Sequence, residues 1–481
     1  MKGLVTVFLL IIISVTLFAC VNDSKLEKLS TPENFSIVEG VLFFDAVNGA
    51  QQYRIEVENL DNQSKKMYFV NLNHDLNELY LQPNDYMIRL QAVGDKKIFD
   101  DSDFTETVAY TQVDPYLVNT IEESFLNDPL SVQWLGRHHY NETNKTKFFY
   151  FTASGFEVKF YGTSLSVEFI TGANPLGKEP HLYVFVDGEN DPRKASLIIL
   201  DKPKDTYVIA DGLTEGEHTV RVLKRSESID STTGVTKIET DGHFLEPNAL
   251  KTRKIEVIAA SSSAGFGNLA SSSSEPKSTQ NSDGLRAYAY LAARMLDAEI
   301  NIFSASGWPA LKGPWTGDNN IPKAYDFVNV YSDVVWNHNN YEPDVVIINL
   351  GTNDWSYITT LSGDARAQAI INFEQAYVNF IQTIHTIHEN ASIVIVYGLM
   401  NETNIYTPTL NIVNQANELL PNLDLYYIQL PSVNAADGIG SSNHPSLATH
   451  IKAGQSLAEA LNEWLDWNIV RENITIDDPT N

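Results

Sequence analysis

Residues 254–268 read KIEVIAASSSAGFGN, and the change inside this stretch decides the fold. Ile255-Glu256-Val257-Ile258 is an apolar run of strand type. It stops in two alanines, three serines and the triplet Gly265-Phe266-Gly267. A buried strand that breaks into small residues is a place where an α/β protein can present a nucleophile; a plain Ser/Gly loop has the same composition. The glycines are no phosphate loop, because no Lys follows at the required spacing. Downstream of Lys254, strand-like runs at 254–258, 299–303, 344–350, 392–397 and 424–428 alternate with helical stretches at 284–297, 322–338, 364–388, 409–420 and 446–466. Such alternation predicts a parallel sheet covered on both faces by helices.

Upstream the period is different. Short alternating runs separated by turn residues fill 31–112, for example Tyr53-Arg54-Ile55-Glu56-Val57, and predict a β-sandwich. A second all-β unit of jelly-roll or sandwich class is expected at 118–250, from runs such as His181-Leu182-Tyr183-Val184-Phe185-Val186. The α/β domain then occupies 251–470 and a tail 471–481. No internal repeat is visible, and the serines at 271–274 read as a loop.

The two ends and the charge narrow the setting. Residues 4–19 are continuously apolar after Met1-Lys2, too few for the ~20 that span a bilayer, and they have the form of a signal-peptide core. Leu17-Phe18-Ala19-Cys20 resembles a bacterial lipoprotein cleavage box, which implies a signal peptide at 1–20, lipidation of Cys20 and a polar tether at 21–30. The expected location is therefore the cell surface, anchored to the membrane. Cys20 is the only cysteine, so the rest of the chain is held by its cores without disulfides. With 33 basic against 61 acidic residues the net charge is −28, which argues against nucleic acid as a partner and suits neutral ones such as sugars.

In open parallel sheets, ligands sit beyond the carboxyl ends of the strands. Ser261 follows the first strand of the α/β domain, Gly307 the second, Asn353 the third, and His444 lies just before the last helix. Serine needs a base to take its proton, and histidine is suited to that near neutral pH. An oxyanion formed on acyl attack needs donors aimed at it in advance, which the Ser261 N–H, the Gly307 N–H and the Asn353 amide can supply. Ser262 and Ser263 are neighbouring candidates for the nucleophile. Asn353 also suits a helix cap, as His444 before Pro445 suits a helix start. Asp354 reads as a cap or loop brace. Trp308, Trp315 and Trp355 follow the blocks and suit either a sugar platform or the core. No spacing of His, Cys, Asp or Glu points to a metal, and no cofactor is expected.

These four blocks, with GlyThrAsnAsp at 351–354 and HisPro at 444–445, resemble the SGNH or GDSL hydrolases. Over 118–467 the layout is similar to family-2 carbohydrate esterases, through LysPheTyrGlyThrSerLeu at 159–165 and AsnHisProSerLeuAlaThrHis at 443–450. Residues 32–57 and 86–92 resemble a fibronectin type III-like module, of the kind that serves as a spacer. The resemblance implies a jelly-roll followed by a flavodoxin-like α/β/α hydrolase domain. It also implies a serine esterase that deacetylates a polysaccharide such as xylan without metal or cofactor. Where the family has Gly-Asp before the serine, this chain has Ala259-Ala260. The family's acid two or three residues before the histidine is replaced by Ser441 and Ser442. Asp437, Asp354 or a backbone carbonyl is left to orient His444. The lost residues also admit a non-catalytic carbohydrate-binding surface protein, and a third reading is an esterase for small acyl esters.

Overall fold

The computed structural model describes residues 26–38, 40–61, 63–79, 81, 84–112, 119–172, 176–400 and 402–473. The expected signal peptide, Cys20 and the end of the tail lie outside the described residues. The chain divides into two compact units, 1–115 and 116–481.

In the first unit Lys65–Val70, Gln52–Asn59, Asn84–Val93 and Val108–Gln112 form a four-stranded antiparallel sheet. Alternate residues Ile55, Val57, Ile88 and Leu90 point inward and close with Leu42 and Phe44 of a separate hairpin. Period-2 alternation thus buries one face and wets the other.

The second unit begins with two six-stranded antiparallel sheets. Their inner faces meet around Phe156, Val158, Phe169, Val222 and Val235. One sheet contains Gly155–Gly162, Gly216–Lys224 and His181–Val186. Its outer side buries Tyr183, Phe185 and Leu223 in the same core as Ile255 and Leu291 of the α/β region. The two regions therefore share apolar surface.

The α/β region contains five parallel strands: β1 (Lys254–Ala259), β2 (Glu299–Ser304), β3 (Val345–Asn349), β4 (Ser392–Leu399) and β5 (Leu425–Ser432). Their order is β2-β1-β3-β4-β5, the flavodoxin-like arrangement whose switch point lies between β1 and β3. The helices are α1 (Tyr288–Met295), α2 (Thr352–Ile358), α3 (Gly363–Ile387), α4 (Tyr406–Leu419) and α5 (Leu447–Leu465). Among the described residues no helix is long and apolar enough to cross a membrane.

One expected helix is absent. Of 322–338 only Ile321–Ala324 is helical, capped by Asn320. Beyond it Asn329 Oδ1 accepts the Val330 N–H, Ser332 Oγ accepts the Val334 N–H, and Phe327 bridges Val335 in antiparallel fashion. Short polar side chains that bond nearby backbone out-compete the helix there.

The β1 strand is buried along nearly its whole length, Glu256 included. That carboxylate is met by the Tyr325 hydroxyl at 2.6 Å, His388 Nε2 at 3.2 Å and Arg137 of the preceding β domain at 3.3 Å. Burial works against its charge, yet His388, Arg137 and Tyr325 pull its pKa down to about 2.

Candidate active site

Strand β1 ends at Ala259, and the chain turns at once. Ser263 N–H donates to the Ala260 carbonyl at 3.2 Å, and Ala264 and Phe266 both donate to the Ser261 carbonyl. Gly265 and Gly267 have left-handed φ of +68° and +54°. A Cβ on Gly265 would lie 2.2 Å from the Asp283 carbonyl oxygen, and one on Gly267 would lie 2.3 Å from the Ser441 side chain. The Gly-Phe-Gly triplet is therefore a close approach of backbones. It zips the serine loop to the histidine loop, with Ser441 N–H donating to the Gly267 carbonyl and Leu447 N–H to that of Asn268.

Ser261 Oγ lies 2.8 Å from His444 Nε2. The other ring nitrogen, Nδ1, meets the carbonyls of Ser441 and Ser442 at 3.1 and 3.3 Å. Since a carbonyl only accepts, Nδ1 carries the hydrogen and Nε2 is left to accept from the serine. Ser442 and Asn443 hold left-handed φ of +51° and +63°, and this tight turn aims both carbonyls at the ring. Phe266 stacks on the other side, ring centroids 4.1 Å apart. Burial pushes the His444 pKa below its ordinary 6.5, with the two carbonyls opposing.

Asp437 does not reach the histidine. Its side chain pairs with Lys452 and with Asn434. The helical turn Ala435–Asp437 is tied down by these bonds, while the ring already has its partners. Asp354 is equally remote in role: it is fully buried and accepts the N–H groups of Ala310, Leu311 and Lys312 at 2.7–3.0 Å. Burial outweighs those bonds and raises its pKa to about 6.

Gly307 and Asn353, the two other expected oxyanion donors, follow β2 and β3. Gly307 has φ +81°. Among the described residues, neither its N–H nor that of Ser261 has an acceptor. Asn353, on the first turn of α2, donates from Nδ2 to the Trp308 carbonyl at 2.9 Å, which fixes its amide and leaves its second hydrogen free. Ser261, Asn353 and the start of α2 line one small cleft with Gly398 and Met400. Trp308 and Trp355 are core residues at 3% exposure, whereas Trp315 is 66% exposed and lies 3.8 Å from where a Gly307 Cβ would be.

Two supports carry no signal in the sequence. Ser263 Oγ donates to the buried Tyr288 hydroxyl at 2.9 Å, and Asn349 Nδ2 reaches the same oxygen at 3.0 Å. This chain of neutral groups braces the serine loop. The second is Glu227 of the β domain, whose carboxylate accepts the Ser306 N–H at 3.1 Å. Tyr288 and Glu227 lie too far along the chain for spacing to associate them with the serine.

Residues 134–247 match the carbohydrate esterase 2 N-terminal domain, and residues 256–466 match the GDSL-like lipase/acylhydrolase domain. The chain is 28% identical over 356 residues to the cellulase/esterase CelE of Acetivibrio thermocellus, across 71% of this chain and 40% of that protein. It is 26% identical over 351 residues to an acetylxylan esterase / glucomannan deacetylase of Cellvibrio japonicus, across 71% and 90%. The chain thus spans well under half the length of the first of these relatives. Among solved structures, a family two carbohydrate esterase from Clostridium thermocellum in complex with cellohexaose superimposes with a TM-score of 0.63 at 26% identity, over 70% of this chain and 100% of that one. Over 134–466 the chain therefore joins a carbohydrate esterase 2 N-terminal domain to a GDSL-like lipase/acylhydrolase domain.

Proposed function

We propose that the protein is a serine esterase that removes acetyl groups from a neutral polysaccharide of the xylan type. The observation that carries this reading is the 2.8 Å contact between Ser261 Oγ and a His444 ring whose Nδ1 is held by carbonyls. Ser261 Oγ attacks the acetyl carbonyl as its proton passes to His444 Nε2. The oxyanion is received by the Ser261 and Gly307 N–H groups and the Asn353 amide. The imidazolium then protonates the departing sugar hydroxyl, leaving an acetyl ester on Ser261. Water attacks that ester, giving its proton to His444; the bond from the acetyl carbon to Ser261 Oγ breaks, His444 returns the proton to Ser261 Oγ, and acetate leaves.

The substrate class is drawn from the relatives and from the site. The Cellvibrio protein acts on acetylated xylan and glucomannan by its name, and the Clostridium structure holds cellohexaose. Here the exposed Trp315 ring beside Gly307 offers an apolar face of the kind sugar rings stack on. A chain with net charge −28 favours uncharged polymers over anionic ones. We also keep the chain exported and tethered through a lipid on Cys20, on the strength of the apolar run at 4–19. Labelling with a radioactive fatty acid tests this, and equal label in Cys20→Ser would sink it.

The missing carboxylate on His444 supports one rival, a cleft that binds glycan without turnover. Acetate release from acetylated xylan and from an aryl acetate, comparing wild type with Ser261→Ala, separates the two. Release that vanishes in the variant is the expected outcome. No release from the wild type, together with measurable affinity for the glycan, would replace the esterase reading with the binding one.

A further inference from the structure

Around the turn that carries Gly307, a group of buried charges is not accounted for by the dyad. Glu227 and Asp230 come from the β domain, within the stretch matched to the esterase N-terminal domain. Their side chains are 2% and 3% exposed, and both pair with Lys277, Glu227 at 2.9 Å. Lys224, also buried, donates to the carbonyls of Ser226 and Glu227 at 3.1 and 2.8 Å and so fixes the backbone from which Glu227 projects.

This cluster faces the site along two lines. The free oxygen of Glu227 accepts the Ser306 N–H at 3.1 Å, and Ser228 Oγ donates to the Ser304 carbonyl at 3.2 Å. The β domain thereby grips residues on both sides of Ala305, directly before Gly307. On the other line Lys277 Nζ sits 5.5 Å from the centre of the Phe266 ring, the ring that stacks on His444. A buried carboxylate bonded to backbone in this way is costly unless its partners are complete. Burial alone would raise the Glu227 pKa; Lys277 and Ser306 hold it below the usual carboxylate range.

We propose that Glu227 is a positioning residue of the active site, setting the Gly307 turn through Ser306 and the His444 ring through Lys277 and Phe266. The β domain is then part of the catalytic centre. This rests on the roles proposed for Gly307 and His444 in the esterase reading. The charged or titratable groups around the His444 ring are Glu227, Lys277 and His450 of α5, the last buried with its pKa pushed down to about 3 and so neutral.

Glu227→Gln keeps an oxygen for the Ser306 N–H but loses the charge, and Glu227→Leu loses both. Lys277 retains Asp230 in each. Asp230→Asn is the control, since Asp230 shares Lys277 with Glu227 but bonds no residue of the Gly307 turn. With an aryl acetate, kcat should fall about tenfold in Glu227→Gln and about a hundredfold in Glu227→Leu, with KM within twofold. Asp230→Asn should keep kcat within threefold. The histidine titration, followed by NMR in a Ser261→Ala background, needs no turnover. There Glu227→Gln should move the His444 pKa downward, because an anion that favours the imidazolium has gone. A kcat within twofold of wild type in Glu227→Gln, or a loss equalled by Asp230→Asn, would overturn the proposal. Should the wild type release no acetate, the esterase reading has failed and the titration alone decides; an unmoved His444 pKa then overturns the coupling.

Discussion

The serine loop and the histidine loop meet across one 2.8 Å contact, yet they are held by different means. The serine loop is fixed by side chains: Ser263 on Tyr288, Asn349 on the same hydroxyl, and two glycines that let backbones touch. The histidine loop is fixed by backbone, with two left-handed residues turning the carbonyls of 441 and 442 toward Nδ1. On both sides the bracing groups beside the dyad are neutral. A site of this kind needs correct tautomer and geometry more than it needs a buried anion beside the ring.

The largest test of that contrast is the contact itself. Ser261→Ala and His444→Ala should each lower kcat by roughly four or more orders of magnitude, measured as acetate release, with thermal unfolding little changed. Asn353→Ala removes one oxyanion donor and should cost ~10²–10³ in kcat; a loss confined to KM would assign the amide to substrate binding instead.

A smaller effect sharpens the serine side. Ser263→Ala leaves the Tyr288 hydroxyl with one partner fewer in a buried place. About 1 kcal/mol of stability should be lost by denaturant titration, and about tenfold in kcat. If only stability moved, the brace would be a feature of the fold alone. On the histidine side the sign of the pH effect is fixed by the base. In the proposed mechanism His444 acts as a neutral imidazole, and burial lowers its pKa below 6.5. Activity is therefore kept as pH falls to that lowered value, and the acid limb of kcat/KM should lie below pH 6.5. A limb above it would mean that a carboxylate faces the ring in the free enzyme. The smallest expected effect is that of Asp437→Asn, whose kcat should stay within twofold; a drop beyond tenfold would return the carboxylate to the histidine.

Much of this site could be read from the order of residues because its parts stand at strand ends. Strands β1, β2 and β3 each end in a short loop, so topology alone puts Ser261, Gly307 and Asn353 at the carboxyl edge of the sheet. Other parts leave no mark along the chain, and the causes are physical. A carbonyl has no residue identity, so nothing in Ser441-Ser442 announces that their oxygens hold a ring. Tyr288 meets Ser263 across 25 positions and Ser306 meets Glu227 across 79, distances that only the packed core closes. The helix expected over 322–338 failed because the side chains of Asn329 and Ser332 bond nearby backbone N–H groups. The three tryptophans looked alike along the chain, and burial separates Trp315 from the other two.

Arg137 carries a consequence for how the molecule is made. Its guanidinium is fully buried, lies over the Phe303 and Tyr325 rings, and donates to the Phe327 carbonyl at 2.8 Å and to Glu256 at 3.3 Å. All of these partners are synthesised more than a hundred residues later. A ribosome therefore delivers a β domain on which Arg137 stays in water until β1 and the segment after β2 arrive to close over it. Leaving such a charge unpaired in an interior costs ~3–5 kcal/mol. The β domain and the hydrolase domain are thus two regions by shape and one event in time: neither is finished until the other is.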